Sequence, residues 1–153
     1  IDYTNYQLFL NERLIAKSKL DREKIKTSIS DFLNRKPDIF YVIDMEHLDR
    51  AVLPEPIKTM VINGYNRKRS GVIQIVLNPA WYECSSSMTG TTHGCWNPYD
   101  AHIPLLWYGW GVQKGKSNKV LNIIDISPTL AAILHIQMPN GCVGKPITEV
   151  FKK

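Results

Sequence analysis

Between Asn78 and His102 the chain carries neither a helical nor a strand period, and this constrains it more than any other feature. So long an aperiodic stretch inside a folded domain is uncommon, and where it occurs it is usually a functional loop. Apolar segments bracket it, residues 72–77 before and 103–108 after. The loop sets His93 among small residues and follows it with Cys95, Trp96, Tyr99, Asp100 and His102. A polar loop that brings an imidazole to the end of a buried strand is a common layout for a metal site.

Upstream the spacing predicts alternating elements. Tyr3, Tyr6, Leu10 and Leu14 fall on one helical face and predict an opening helix. Ile25, Ile29, Phe32 and Leu33 repeat that spacing, with Asp21 as N-cap and Pro37 as the stop. Residues 39–43 read as a buried strand. Pro54 and Pro56 open a short helix through Ile57, Met60 and Val61 that Asn63-Gly64 ends, and residues 72–77 read as a second strand. After the loop, residues 103–108 and 120–124 are expected to be strands. Ser127-Pro128 supplies a cap and first-turn proline for a helix through Leu130, Ile133 and Leu134, and a short tail closes the chain around residues 147–151. Such alternation points to an α/β or α+β layered fold. Residues 20–77 form a candidate α-β-α-β subdomain, residues 78–102 the candidate active-site loop, and residues 103–153 a closing sheet and helix that continue a larger sheet.

The side chains offer several chemistries. His93 followed by Gly94 suits a zinc ligand, because glycine lets the backbone pass close to an ion. The dipeptide alone serves a plain loop histidine equally well. Asp100 and His102 would share a face if a strand begins at Ile103. They are then a candidate pair for orienting a metal ligand from behind, or a structural pair at a strand entrance. Cys84, Cys95, His93 and His102 lack the close cysteine spacing of structural zinc sites. Three cysteines, Cys84, Cys95 and Cys142, indicate no disulfide framework and leave a single bridge open. Thr91, Thr92 and the serines at 85–87 have no recognisable base beside them. No nucleophile elbow, phosphate-binding loop or dinucleotide fingerprint is present. His47 and His135 stand alone, the latter at a helix end.

The formal net charge of +5 is spread out apart from Arg67-Lys68-Arg69. That cluster reads as the decoration of a turn, not as a nucleic-acid surface. It leaves one alternative function open, a non-enzymatic module that binds an anionic partner through the basic turn. No apolar run approaches the roughly 20 residues of a membrane helix, so no membrane partner is expected. No signal peptide precedes Ile1, which suggests a chain that begins after processing or was cut.

The ordered run Gly90-Thr-Thr-His-Gly-Cys-Trp-Asn-Pro-Tyr-Asp-Ala-His-Ile-Pro-Leu-Leu-Trp-Tyr-Gly-Trp-Gly111 resembles the C-terminal part of bacterial alkaline phosphatases of the type I phosphodiesterase/nucleotide pyrophosphatase group. Asp125-Ile-Ser-Pro-Thr-Leu-Ala-Ala-Ile-Leu-His-Ile136 and Met138-Pro-Asn-Gly-Cys-Val-Gly-Lys-Pro-Ile147 resemble that family's closing segments. Asn63-Gly-Tyr-Asn66 and Arg69-Ser-Gly-Val-Ile-Gln-Ile-Val-Leu77 fit just upstream. The resemblance implies the C-terminal portion of an α/β/α alkaline-phosphatase-like fold. It implies a two-zinc enzyme that hydrolyses phosphate monoesters through a phospho-threonine intermediate. His93 matches the family's T-x-H-G zinc ligand, with Asp100 and His102 as candidates behind it. The nucleophile and the remaining ligands belong to a missing N-terminal portion of the same polypeptide, so Thr91 and Thr92 are not the nucleophile and the chain alone is expected to be inactive. Cys95 stands where the family often has serine. A periplasmic or secreted location follows from the same resemblance.

Overall fold

The structure, a computed structural model, describes residues 1–83 and 94–151. These divide into two compact units, Ile1–Ile103 and Pro104–Lys153.

The first unit begins with a hairpin where the spacing predicts a helix. Strands β1 (Asp2–Thr4) and β2 (Gln7–Phe9) pair antiparallel, with Thr4 opposite Gln7. The two residues between them, Asn5 and Tyr6, have φ of 50° and 60°, as a tight two-residue hairpin requires. Asn5 tolerates that left-handed geometry well, whereas Tyr6 adopts it at a steric cost. Tertiary pairing overrides the helical spacing here: Gln7 and Leu8 pair with Gln74 and Ile73 on a central strand, and Leu8 becomes buried. Helix begins only at α1 (Glu12–Lys17), where the Asn11 side chain accepts the Leu14 N–H at 2.9 Å.

Helix α2 (Arg22–Leu33) follows the sequence reading. The Asp21 carboxylate caps it by accepting the N–H groups of Glu23 and Lys24. Strand β3 (Ile39–Asp44), helix α3 (Ile57–Gly64) and strand β4 (Ile73–Leu77) also fall where expected. The sheet order is β1-β2-β4-β3, and β3 and β4 are antiparallel. Alternation along β4 divides the core between the two faces. Ile73 and Ile75 pack with Leu8 on the face that Ile29 and Leu33 of α2 cover. Val76 packs with Ile43, Met45 and Val61 of α3 on the other. Each fully buried aliphatic side chain contributes about 1.5–3 kcal/mol. Just before β4, the Gly71 N–H donates to Gln7 Oε1 at 2.7 Å, and a methyl group there would lie 2.5 Å from the Leu8 carbonyl oxygen. Only glycine lets the hairpin dock this closely. A one-turn helix α4 (Pro98–Ala101) ends the loop region, with Pro98 in its first turn.

In the second unit the two expected strands are absent. Residues 103–108 form no strand, and residues 120–124 run from irregular chain into a 3-10 turn, Ile123–Asp125. A strand needs a neighbouring ladder, and these segments have none within the unit. Helix α5 (Ile126–Ile133) forms as expected, although it starts before Ser127. Its start is organised by Asp125, whose Oδ2 accepts the Asn122 N–H at 2.9 Å and whose Oδ1 accepts the Lys145 N–H at 2.9 Å. Its end closes in a Schellman arrangement. His135, at φ 53°, donates its N–H to the Ala132 carbonyl, and Ile136 donates to Ala131.

The buried Thr129 hydroxyl donates to the Asp125 carbonyl and accepts the Ile147 N–H at 2.9 Å, tying the closing segment to α5. Thr129→Val keeps the shape and strands the Ile147 N–H. It is expected to lower unfolding free energy in urea by about 1–3 kcal/mol, and no change would show that this bond does not hold the segment. Among the described residues no helix is long and apolar enough to cross a membrane.

Candidate metal-site loop

His93, Cys84, Thr91 and Thr92 lie outside the described residues. What the structure shows is how both arms of the loop are fixed. The upstream arm leaves the end of β4. Asn78 ties it back through its N–H to the Asp38 carbonyl at 2.9 Å and its Nδ2 to the Pro37 carbonyl at 2.8 Å. Two tyrosine hydroxyls then hold the arm: Tyr99 accepts the Ala80 N–H at 2.7 Å, and Tyr6 accepts the Glu83 N–H at 3.1 Å. Burial raises the Tyr6 pKa, so that phenol stays a neutral hydrogen-bonding group.

The downstream arm is fixed by packing. Trp96 lies against the core cluster of Ile43, Met45, Val61 and Val76. Cys95 Sγ lies 3.6 Å from the Trp81 carbonyl, a weak link to the opposite arm. Gly94 has φ 99°, a conformation side-chain-bearing residues rarely take, so the arm turns sharply directly after position 93. A small cleft between this arm and β4 is lined by Tyr6, Ile75, Leu77, Cys95, Trp96 and Asn97. In the sequence Tyr6 reads as part of a helical face, and no local pattern marks Tyr99 or Trp96 as an anchor. The density of aromatic residues was visible, but Tyr6 and Glu83 are too far apart in sequence for spacing to pair them.

The strand geometry expected to align Asp100 with His102 is not there. Asp100 lies within α4, and His102 is its C-cap, donating its N–H to the Pro98 carbonyl at 2.9 Å. The two therefore do not share the face of a strand. Cys95 and Cys142 are free thiols. Among the described residues no three His, Cys, Asp or Glu side chains come together as a metal site. The basic turn is as expected: Arg67, Lys68 and Arg69 are exposed, and Asn66 Oδ1 accepts the Lys68 N–H at 3.0 Å.

The densest group of charges lies between α2 and β3. Lys26, 3% exposed, places Nζ 2.9 Å from Asp44 Oδ2 and 2.8 Å from Glu46 Oε2. Arg22 bonds Glu46 through both terminal nitrogens at 2.8 and 2.9 Å and reaches Glu12 through Nε. His47 Nδ1 lies 2.9 Å from Asp44 Oδ2. Asp44 and Glu46 thus each bind a cation of α2 directly, and this group holds α2 on the sheet.

No protein-family model matches the chain. Over 96% of its length it is 46% identical to alkaline phosphatase PafA of Elizabethkingia meningoseptica, of which it covers 27%. Over 97% it is 43% identical to alkaline phosphatase PhoV of Synechococcus elongatus, covering 26% of that protein. A protein of Myroides odoratus named a calcium-transporting ATPase is 40% identical over 97% of the chain, which covers 27% of it. The crystal structure of wild type alkaline phosphatase PafA matches 99% of the chain with a TM-score of 0.92 at 44% identity, and the match takes in 29% of that structure's chain. The chain thus has the fold of the matching region of that alkaline phosphatase, and spans little more than a quarter of its relatives' length.

Proposed function

We propose that the chain is the C-terminal portion of an alkaline phosphatase, a phosphohydrolase whose catalytic apparatus is shared between this portion and the rest of the polypeptide. The observation that carries the reading is the 46% identity over 96% of the chain together with the close match to the PafA structure. Placement in the type I phosphodiesterase/nucleotide pyrophosphatase group, and a periplasmic or secreted location, belong to the same proposal.

In this reading His93 supplies one imidazole to a two-zinc centre, and Asp100 and His102 stand behind it. In this reading the other ligands and the threonine nucleophile come from the remainder of the polypeptide, since a catalytic zinc needs at least three protein groups. Bound zinc would supply Lewis-acid stabilisation of the oxygens in phosphoryl transfer. The contribution of this chain is to position His93: the loop arms are fixed by Tyr6, Tyr99 and Trp96, and a rigid frame holds a ligand where a metal needs it. The substrate is a phosphate ester, monoesters first.

The test compares the full-length polypeptide with the 153-residue chain on an aryl phosphate, with and without added zinc. The full-length protein is expected to turn over in a metal-dependent way, and the chain alone not at all. Turnover by the chain alone, abolished by His93→Ala, would overturn the division of the site. The alternative of a basic-turn binding module has only the exposure of Arg67–Arg69 behind it.

A further inference from the structure

We infer that Tyr6 and Cys95 form a clasp across the neck of the loop that carries His93, and that both are positioning residues for that histidine. The inference rests on the reading above, in which His93 is a zinc ligand, and adds what holds it in place. Three observations carry it.

The first is a chain of contacts that joins the two arms. The Tyr6 hydroxyl oxygen accepts the Glu83 N–H at 3.1 Å on the upstream arm. The same hydroxyl hydrogen-bonds with the Cys95 side chain on the downstream arm, and both residues line one cleft. Cys95 Sγ lies in turn 3.6 Å from the Trp81 carbonyl, back on the upstream arm. An amide only donates and a carbonyl only accepts, so the ends fix the direction of the whole chain. Glu83 N–H donates to the phenol oxygen, the phenol O–H to the sulfur, and the thiol S–H to the Trp81 carbonyl. Residues 84–94, His93 among them, lie in sequence between these anchors.

The second is the backbone of Tyr6. Its φ of 60° falls at the second residue of a two-residue hairpin turn, where glycine fits best and a bulky side chain is an outlier. Such conformations persist only where the surroundings over-determine them, and they gather at functional sites. Here the Tyr6 carbonyl accepts the Ile75 N–H at 2.8 Å and Gln74 Nε2 at 3.1 Å, so β4 fixes the turn. The Tyr3 ring meets the Tyr6 ring edge-on at 6.4 Å and 81°. Glycine would serve the turn better; the tyrosine serves the loop.

The third is that the hairpin holds Glu83 twice. Besides the bond from its N–H to Tyr6, its carboxylate hydrogen-bonds with the Tyr3 phenol, whose pKa is raised by partial burial and by that carboxylate. Pinning the neck shortens the segment that must be ordered when a metal binds, and so lowers the entropic cost of binding.

Three variants of the full-length protein test this: Tyr6→Phe, Cys95→Ala and Cys95→Ser. Tyr6→Phe keeps the ring and removes the hydroxyl. It and Cys95→Ala are each expected to weaken zinc binding, read by chelator competition, and to lower kcat roughly 10–100-fold with KM little changed. The two changes combined should cost no more than either alone, because both break one chain. Cys95→Ser keeps a donor and an acceptor and should restore most of the loss. Exchange of the Glu83 amide, read by mass spectrometry, should quicken about tenfold in Tyr6→Phe. Full zinc affinity and full kcat in Tyr6→Phe and Cys95→Ala would overturn the inference, as would additive losses. So would a lower urea midpoint with zinc affinity unchanged, the mark of a merely structural contact. Failure of the function reading looks different: the unmodified protein then shows no zinc-dependent turnover. In that case Glu83 exchange alone judges the clasp; quickened exchange keeps it and unchanged exchange removes it.

Discussion

Changing His93 to alanine in the full-length protein is expected to release or displace zinc and to slow phosphate-monoester turnover by at least about a hundredfold, with the fold intact. The magnitude follows from the several kcal/mol that Lewis-acid stabilisation supplies, since each 1.36 kcal/mol is a factor of ten. The fold should survive because the loop arms are held by other residues. Ala80 and Glu83 hang on the hydroxyls of Tyr99 and Tyr6, and Trp96 sits against the core. Asp100→Ala and His102→Ala should each cost less, roughly 10–100-fold, as groups that orient a ligand without being one. Metal analysis and circular dichroism on all three variants check the ranking. Zinc loss in the His102 variant, with full metal and full activity in the His93 variant, would move the ligand from His93 to His102.

That ranking depends on information of unequal origin. Helix α2 was legible because its signals are local: Asp21 caps it, Ile25, Ile29 and Leu33 face one way, and Pro37 ends the run. Strands β3 and β4 were legible because both are short apolar runs bounded by turn residues. The N-terminal hairpin was not, because Tyr3, Tyr6 and Leu10 happen to fit a helical period. The decisive partner of Leu8 is Ile73, which no local pattern reveals. Residues 103–108 have the composition of a strand but no ladder among the described residues, so a correct local preference found no partner to realise it. At the candidate site, His93 stood out only through the family resemblance of its surroundings, whereas the residues that fix the loop act through contacts remote in sequence. The hydroxyl of Tyr99 could not be paired with Ala80, nor Tyr6 with Glu83, without the fold.

The charged group under α2 leads to the second large effect: Lys26→Met is expected to destabilise the chain by about 2–3 kcal/mol. Breaking a buried ion pair by removing one partner costs about 3–5 kcal/mol, because a carboxylate is left without its counter-charge. Here the figure is reduced because the Asp44 and Glu46 side chains remain 36% and 35% exposed and water partly screens them. The pH dependence gives a sharper test. Hydrogen bonding from Arg22 foremost, with help from Lys26 and against the effect of burial, holds the Glu46 pKa at about 2. Burial pushes Asp44 upward, but His47 and Lys26 outweigh it and its pKa is lowered. Burial pushes Lys26 downward, but Glu46 and Asp44 outweigh it and its pKa is raised. A carboxylate depressed in the folded state stabilises above its unfolded pKa and loses that stabilisation as pH falls through the folded value. A raised ammonium stabilises below its unfolded pKa and loses that only as pH rises through the folded one. The network is therefore fully effective from about pH 5 to about pH 10 and fails on the acid side between about pH 5 and pH 2. Urea midpoints measured from neutral to acid pH should fall steeply for the unmodified chain and less steeply for Lys26→Met, since that variant has already lost part of what acid removes. Parallel curves would place the acid sensitivity elsewhere. The double variant Lys26→Met, Asp44→Asn should recover part of the loss at neutral pH, because Asp44 is the carboxylate that Lys26→Met leaves without its cation, whereas Glu46 keeps Arg22.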